Sequence, residues 1–154
     1  MKKLIMVMFS LCMLIAVSGC QTSNDELSPN EFTEQFVNDF FSFKYDENLN
    51  ETESYSHLIE KLEPYFTEEG YTTFTKNNYG FLPIEASEKY KSDITVNDIQ
   101  LKELFNDETE VGYNVDVELQ LPSDVATVNL TLSICKEDNN WKVYAIQIST
   151  IDEF

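Results

Sequence analysis

The residues best suited to covalent chemistry are a lone histidine and a cysteine near the C-terminus. His57 is the only histidine, and Cys135 lies in the last third of the chain. A histidine beside a thiol can act as a base and nucleophile pair. However, Cys135 falls at the polar parity of a predicted strand, and Lys136 is the one positive charge near it. We therefore expect an exposed, helical His57, with neither a catalytic set nor a zinc site.

The acidic loop after residue 45 has the spacing with which an EF-hand calcium loop opens. Asp46, Asn48 and Asn50 occupy the first alternate positions. Glu51 replaces the glycine that such a loop needs for its sharp turn, and His57 replaces the closing bidentate acid. Weak calcium binding by clustered acids is the alternative. The sequence predicts no resident metal and no cofactor, and it contains no glycine-rich phosphate loop.

The first twenty residues end in a further cysteine, Cys20, for which the sequence indicates a defined chemistry. Two lysines precede an apolar run from Leu4 to Val17, and small residues follow. This layout is typical of a secretory signal peptide, since the run is too short for a spanning helix. The ending Val-Ser-Gly-Cys resembles a lipobox, in which cleavage follows Gly19 and the thiol of Cys20 is acylated. The resemblance implies a bacterial lipoprotein with a signal peptide over residues 1–19.

Charge and composition indicate where such a protein would act. The formal charge of −18 falls to −20 when Lys2 and Lys3 leave with the signal, and 135 residues remain (154 minus 19). An acidic surface repels nucleic acid and anionic lipid headgroups. Residues 20–27 read as an acylated tether that reaches at most about 25 Å. We expect an anchor on the extracytoplasmic face of the cell membrane, and the absence of arginine favours a Gram-positive host.

Residues 28–154 of the mature chain are predicted to form one domain, in which the helices come first. Ser28 and Glu31 form a predicted capping box around Pro29, which suits the first helical position. A heavily aromatic face then recurs at helical spacing: Phe32, Phe36, Val37, Phe40 and Phe41. Two more helices are predicted, one from Ser54 to Glu63 and a short one starting at Thr67.

From Ser92 onward the apolar period changes to two, which indicates strands. The first predicted strand has an irregularity near Asn97, and the clearest alternation runs from Val111 to Leu121. A third predicted strand covers residues 128–134. The fourth, from Trp141 to Ile151, has apolar residues at both parities. We expect its first half to be buried on both faces, in the middle of the sheet or partly under a helix.

This order predicts an α+β fold in which N-terminal helices pack on a curved antiparallel sheet of three to four strands. The junction at residues 62–67 and the closing Asn-Trp-Lys-Val strand at residues 140–143 resemble the NTF2-like, cystatin-like cone fold. The resemblance implies a space between helix and sheet, and in some members a homodimer through the sheet. The predicted lining of that space is Phe32, Phe36, Phe40, Tyr113 and Trp141.

Enzymes that resemble this fold need a carboxylate inside the apolar cavity. Asp116 and Glu118 instead fall at the polar parity of their strand. The preferred interpretation is therefore a non-enzymatic binding module with a protein partner, or one that binds a small apolar ligand, as an accessory to an envelope or conjugation-type complex. Two alternatives are an isomerase or dehydratase on the same fold, and an acidic protein that sequesters cations or a basic partner.

Overall fold

The computed structural model describes residues 27–151. The predicted signal peptide and the lipidation site at Cys20 lie outside the described residues, as do residues 152–154. The helices are α1 (Pro29–Phe41), α2 (Glu51–Leu62), a 3₁₀ turn (Glu63–Tyr65), α3 (Glu68–Lys76) and α4 (Phe81–Tyr90). The strands are β1 (Thr95–Asn106), β2 (Glu110–Gln120), β3 (Val125–Glu137) and β4 (Asn140–Ile151).

Capping side chains set where the first two helices begin. Ser28 accepts a hydrogen bond from the backbone N–H of Glu31, whose carboxylate accepts from Ser28 in return, so the predicted capping box is confirmed. Asn50 and Glu53 form a second capping box, which starts α2 at Glu51 rather than at Ser54 as predicted. A cap satisfies backbone donors that the first turn leaves free.

One helix has no counterpart in the sequence-based prediction. The segment that becomes α4 begins without a side-chain cap and carries Pro83 in its first turn. Its first residue, Phe81, stacks on Tyr55 of α2 with ring centroids 4.2 Å apart. The packing of Phe81 against α2 therefore stabilises the start of α4, which has no side-chain cap.

The four strands form one antiparallel sheet in the order β1-β2-β3-β4, so each strand pairs with its neighbour along the chain. One face is apolar and lies against the helices, and the opposite face is polar. The predicted α+β class, with helices packed on an antiparallel sheet, is confirmed. Within residues 27–151 no helix has the length and apolar character needed to cross a bilayer.

Bulges explain the two irregular strands. The predicted irregularity in β1 is confirmed, since the register shifts between Val96 and Asp98. In β4 a shift leaves Tyr144 as an extra residue, so that the inward positions change from Val143 to Ile146. The prediction of burial on both faces is wrong, because one bulge changes the parity of a strand that has a single apolar face.

The position of β4 also differs in part from the prediction. It is an edge strand, not a central one, but α3 does pack against it. The Thr67 backbone N–H donates to the Val143 carbonyl, and Phe66 forms a parallel bridge to the same residue. A Cβ atom placed on Gly70 would lie 2.3 Å from the Val143 carbonyl oxygen. The helix and the strand therefore approach each other closely.

The core lies between the aromatic face of α1 and the inner face of the sheet. Phe36, Val37, Phe40 and Phe41 are fully buried. The Phe40 ring meets Phe74 of α3 edge-on at 5.2 Å between centroids. Aromatic rings supply most of the apolar area at this point, and edge-on pairs are a favourable arrangement for them.

Candidate binding groove

An open groove of about 830 Å³ runs between α1, the 3₁₀ turn and the β3–β4 hairpin. We call it the hairpin groove. Its volume lies within the range of about 300–1,000 Å³ typical of ligand sites. The residues that define it are Leu27, Phe32, Gln35, Tyr65, Trp141 and Lys142.

Aromatic side chains form the apolar wall of the hairpin groove. The Phe32 and Tyr65 rings lie 5.8 Å apart, and Tyr65 also contacts Phe36. Trp141 is positioned by the turn before it, in which Asp138 and Asn139 both have positive φ. Two such residues make a tight hairpin turn. The chain therefore reverses its direction within two residues, and Trp141 lies at the end of the sheet that faces α1.

A tyrosine, a carboxylate and a lysine form a hydrogen-bonded set on the floor of the groove. The Tyr65 hydroxyl donates to Asp39 Oδ2 at 2.6 Å, and Lys61 Nζ lies 3.0 Å from Asp39 Oδ1. Burial, followed by the hydrogen bond to Asp39 and its charge, raises the pKa of Tyr65 to about 12. Tyr65 is therefore a protonated donor at neutral pH, and it is not suited to act as a base.

Lys142 contributes a positive charge to the groove and has no acidic partner within residues 27–151. Its Nζ donates a hydrogen bond to the Pro64 carbonyl, which follows α2 in the 3₁₀ turn. Among residues 27–151, carboxylates pair with Lys61 and Lys91. An ammonium group has three donors, and the Pro64 carbonyl accepts from one of them.

The histidine and the cysteine are not brought together. His57 is exposed on α2, where it lines a second groove of about 490 Å³ beside the start of β1. Cys135 is half-buried on the polar face of β3. Burial, followed by the charges of Glu110 and Glu137, raises the pKa of its thiol. A nucleophilic cysteine needs the opposite shift.

The loop that imitates a calcium site is a local turn followed by a cap. Asp46 Oδ1 accepts from the backbone N–H and from the side-chain amide of Asn48, both at 2.9 Å. These bonds lower the pKa of Asp46. Asn50 caps α2. In the part of the chain that the structure describes, no three acidic, histidine or cysteine side chains converge on a metal-sized space.

The five residues predicted to line a cavity occupy two different places. Phe32 and Trp141 border the hairpin groove. Phe36 and Phe40 are fully buried in the core. Tyr113 is buried on β2, and its hydroxyl donates to Asn30 Oδ1 at 2.6 Å, which joins the sheet to the start of α1.

The polar residues of the groove were not predicted from the sequence. Tyr65 and Asp39 are 26 residues apart, and Lys142 and Pro64 are 78 apart. No motif has such spacings. The one available signal was a lysine beside the lone tryptophan, directly after a predicted hairpin turn.

Comparison with known proteins relates this chain by fold alone. No family model matches it, and no curated protein matches its sequence significantly. A crystal structure of an IcmL-like type IV secretion system protein from Legionella pneumophila subsp. pneumophila str. Philadelphia 1 is similar in fold. Its TM-score is 0.57 at 15% identity, over 83% of this chain and 96% of that one. The two chains therefore share one α+β architecture.

Two further structures give lower scores. A periplasmic fragment of TraM has a TM-score of 0.48 at 15% identity, over 76% of this chain and 91% of that fragment. The periplasmic domain of DotI has a TM-score of 0.46 at 13% identity, over 82% of this chain and 98% of that domain.

Proposed function

We propose that this protein is a lipid-anchored, extracytoplasmic interaction module that contributes to a secretion or conjugation-type envelope complex without catalysing a reaction. The observation that carries the proposal is the fold shared with the IcmL-like type IV secretion system protein, which spans 96% of that chain. A domain that matches almost the whole of such a protein is suited to a part in an assembly.

The proposed anchor is Cys20, at the end of the signal-like segment. A diacylglycerol group would contribute two acyl chains, and each buried CH₂ stabilises membrane binding by about 0.8 kcal/mol. Two chains make a lasting anchor where one does not. The short tether would keep the domain within about 25 Å of the membrane surface. A partner in the same membrane would then be met more often than a freely diffusing substrate.

The interior supports a binding role rather than catalysis. The buried polar side chains among residues 27–151 are Thr33, Ser54 and Ser87, and none is a carboxylate. Phe36 and Phe40 occupy the space between α1 and the sheet, where a cavity enzyme of this fold would hold its substrate. A buried acid with a shifted pKa is the usual sign of such an enzyme.

The anchor is tested by feeding cells an alkyne-labelled fatty acid and detecting it on the purified protein. The full chain and Cys20→Ala are compared, with Cys135→Ala as a matched cysteine control. We expect the label and membrane retention to be lost in Cys20→Ala and kept in Cys135→Ala. Labelling of Cys20→Ala, or no labelling of the unchanged chain, would contradict the anchor.

The partner is tested by site-specific photocrosslinking in cells that express the complete envelope complex. A crosslinking amino acid at Gln35, in the groove, is compared with one at Lys102, on the outward face of β1. A crosslink from Gln35 to a component of that complex supports the proposal. Crosslinks from neither position oppose it. A crosslink between two copies from Lys102 supports the predicted homodimer through the sheet.

A further inference from the structure

We propose that the hairpin groove binds an extended peptide segment of a partner protein, in which an apolar side chain lies next to an acidic one. The inference deepens the proposed function, on which it rests, because it names the chemistry that the partner presents. It is carried by the shape of the groove and by the distribution of charge around it.

The groove is shaped for a chain segment. It is open to solvent, and its volume of about 830 Å³ exceeds what a single side chain fills. The rings of Phe32, Tyr65 and Trp141 form its wall. Aromatic residues are enriched where proteins bind one another, since they offer a large area and lose little conformational freedom. An apolar side chain of the partner would lie against this wall.

The charge of the groove differs from that of the whole protein. The chain carries a formal charge of −18, yet Lys61 and Lys142 line the groove against one carboxylate, that of Asp39. The groove is therefore a local site where an acidic group is attracted, on a surface that elsewhere repels it.

Lys142 is the group placed to select for an acid. It donates to the neutral Pro64 carbonyl and has no ion-pair partner among the described residues. A carboxylate that enters the groove can accept a charge-assisted hydrogen bond from its ammonium group. A neutral amide in the same place would accept a weaker hydrogen bond from Lys142.

A peptide fits these observations better than an anionic membrane does. Trp141 is only 8% exposed, so it is recessed in the groove rather than projecting from it. A flat headgroup surface would not reach it, and the acidic exterior around the groove would repel that surface.

Binding is measured on the purified full chain through its lone tryptophan, Trp141, which borders the groove. The probe is a short, capped synthetic peptide of alternating leucine and glutamate. The matched probe carries glutamine at each glutamate. We expect a saturable fluorescence change with the glutamate peptide and an affinity about tenfold lower for the glutamine peptide, as the loss of a charged hydrogen bond implies.

Two lysine variants test whether the preference for the glutamate peptide depends on Lys142. Lys142→Gln should weaken binding of the glutamate peptide about tenfold, whereas Lys102→Gln, an exposed lysine on β1, should leave it unchanged. Equal urea midpoints show that both variants are folded. Equal affinity for the two peptides, no effect of Lys142→Gln, or a Lys142-dependent response to phosphatidylglycerol vesicles with none to peptide would overturn the inference. Since fatty-acid labelling is read separately, loss of peptide binding in a labelled protein rejects the groove assignment and leaves the anchor intact.

Discussion

The aromatic face of helix α1 has two parts that differ in their surroundings, an inner cluster and a groove cluster. In the inner cluster Phe36 and Phe40 are fully buried and pack on other rings. In the groove cluster Phe32, one helical turn before Phe36, borders an open groove, as does Asp39, which is hydrogen-bonded to Tyr65. Close packing makes the inner cluster sensitive to any change of volume. Asp39 and Tyr65 in the groove cluster are partly exposed, so they are accessible to a ligand, and we expect their substitution to cost less stability.

The largest expected effect comes from truncating the inner cluster. Phe40→Ala should lower the free energy of unfolding by about 3–5 kcal/mol, because it leaves a cavity that the fixed neighbours cannot fill. Urea denaturation followed by circular dichroism measures it. Gln35→Ala on the groove side should change the value by less than about 0.5 kcal/mol. Equal losses in the two variants would remove the distinction between the clusters.

A glycine at the helix–strand contact gives the next largest effect. In an exposed helix Gly→Ala stabilises by about 1 kcal/mol. Gly70→Ala should instead destabilise by about 1–3 kcal/mol, since its Cβ would meet the Val143 carbonyl oxygen of the adjacent strand. The control is Gly112→Ala, where the obstacle is the movable Phe105 ring, and it should cost less. A stabilised Gly70→Ala would show that α3 and β4 are not in close contact.

The hydrogen bond between Tyr65 and Asp39 in the groove should contribute less to stability than the core and the helix–strand contact. Tyr65→Phe removes the donor to Asp39 and should lower the free energy of unfolding by about 1 kcal/mol. Because the folded pKa of about 12 lies above the ordinary tyrosine value of 10.0, the stability from this group is complete below pH 10.0 and is lost as the pH rises toward 12. Absorbance titration should show this late-ionising tyrosine disappear in Tyr65→Phe. In Asp39→Asn its pKa should fall.

The smallest effect is expected for the ion pair at the groove floor. Lys61 and Asp39 are both partly exposed, and such a pair contributes about 0.2–1 kcal/mol. A double-mutant cycle with Lys61→Met and Asp39→Ala measures the coupling. Coupling above about 2 kcal/mol would mean that this pair is a structural element of the core rather than a surface feature.

Local signals in the sequence predicted much of the fold. The capping box at Ser28, the aromatic stripe of α1 and the strict alternation of β2 each depend on neighbours within a few residues. The features that were not predicted depend on contacts between residues that are far apart in the sequence. Helix α4 is held by Tyr55 rather than by a cap, and a bulge at Tyr144, across from β3, reverses the parity of β4.

The candidate site could not be predicted for the same reason. Asp39, Tyr65 and Lys142 come from α1, the 3₁₀ turn and β4, and no short pattern relates them. Trp141 was predicted as a lining residue from the resemblance to the NTF2-like fold. However, only the structure shows which polar groups accompany it.

The order of helices before sheet has a consequence for how the chain acquires its fold. Synthesis proceeds from the N-terminus, so the aromatic face of α1 emerges before the strands that cover it. The strands can pair in succession, because each adjoins its neighbour along the chain. The aromatic residues of the N-terminal helices are therefore exposed until the strands that cover them have formed, and in that interval they are open to self-association.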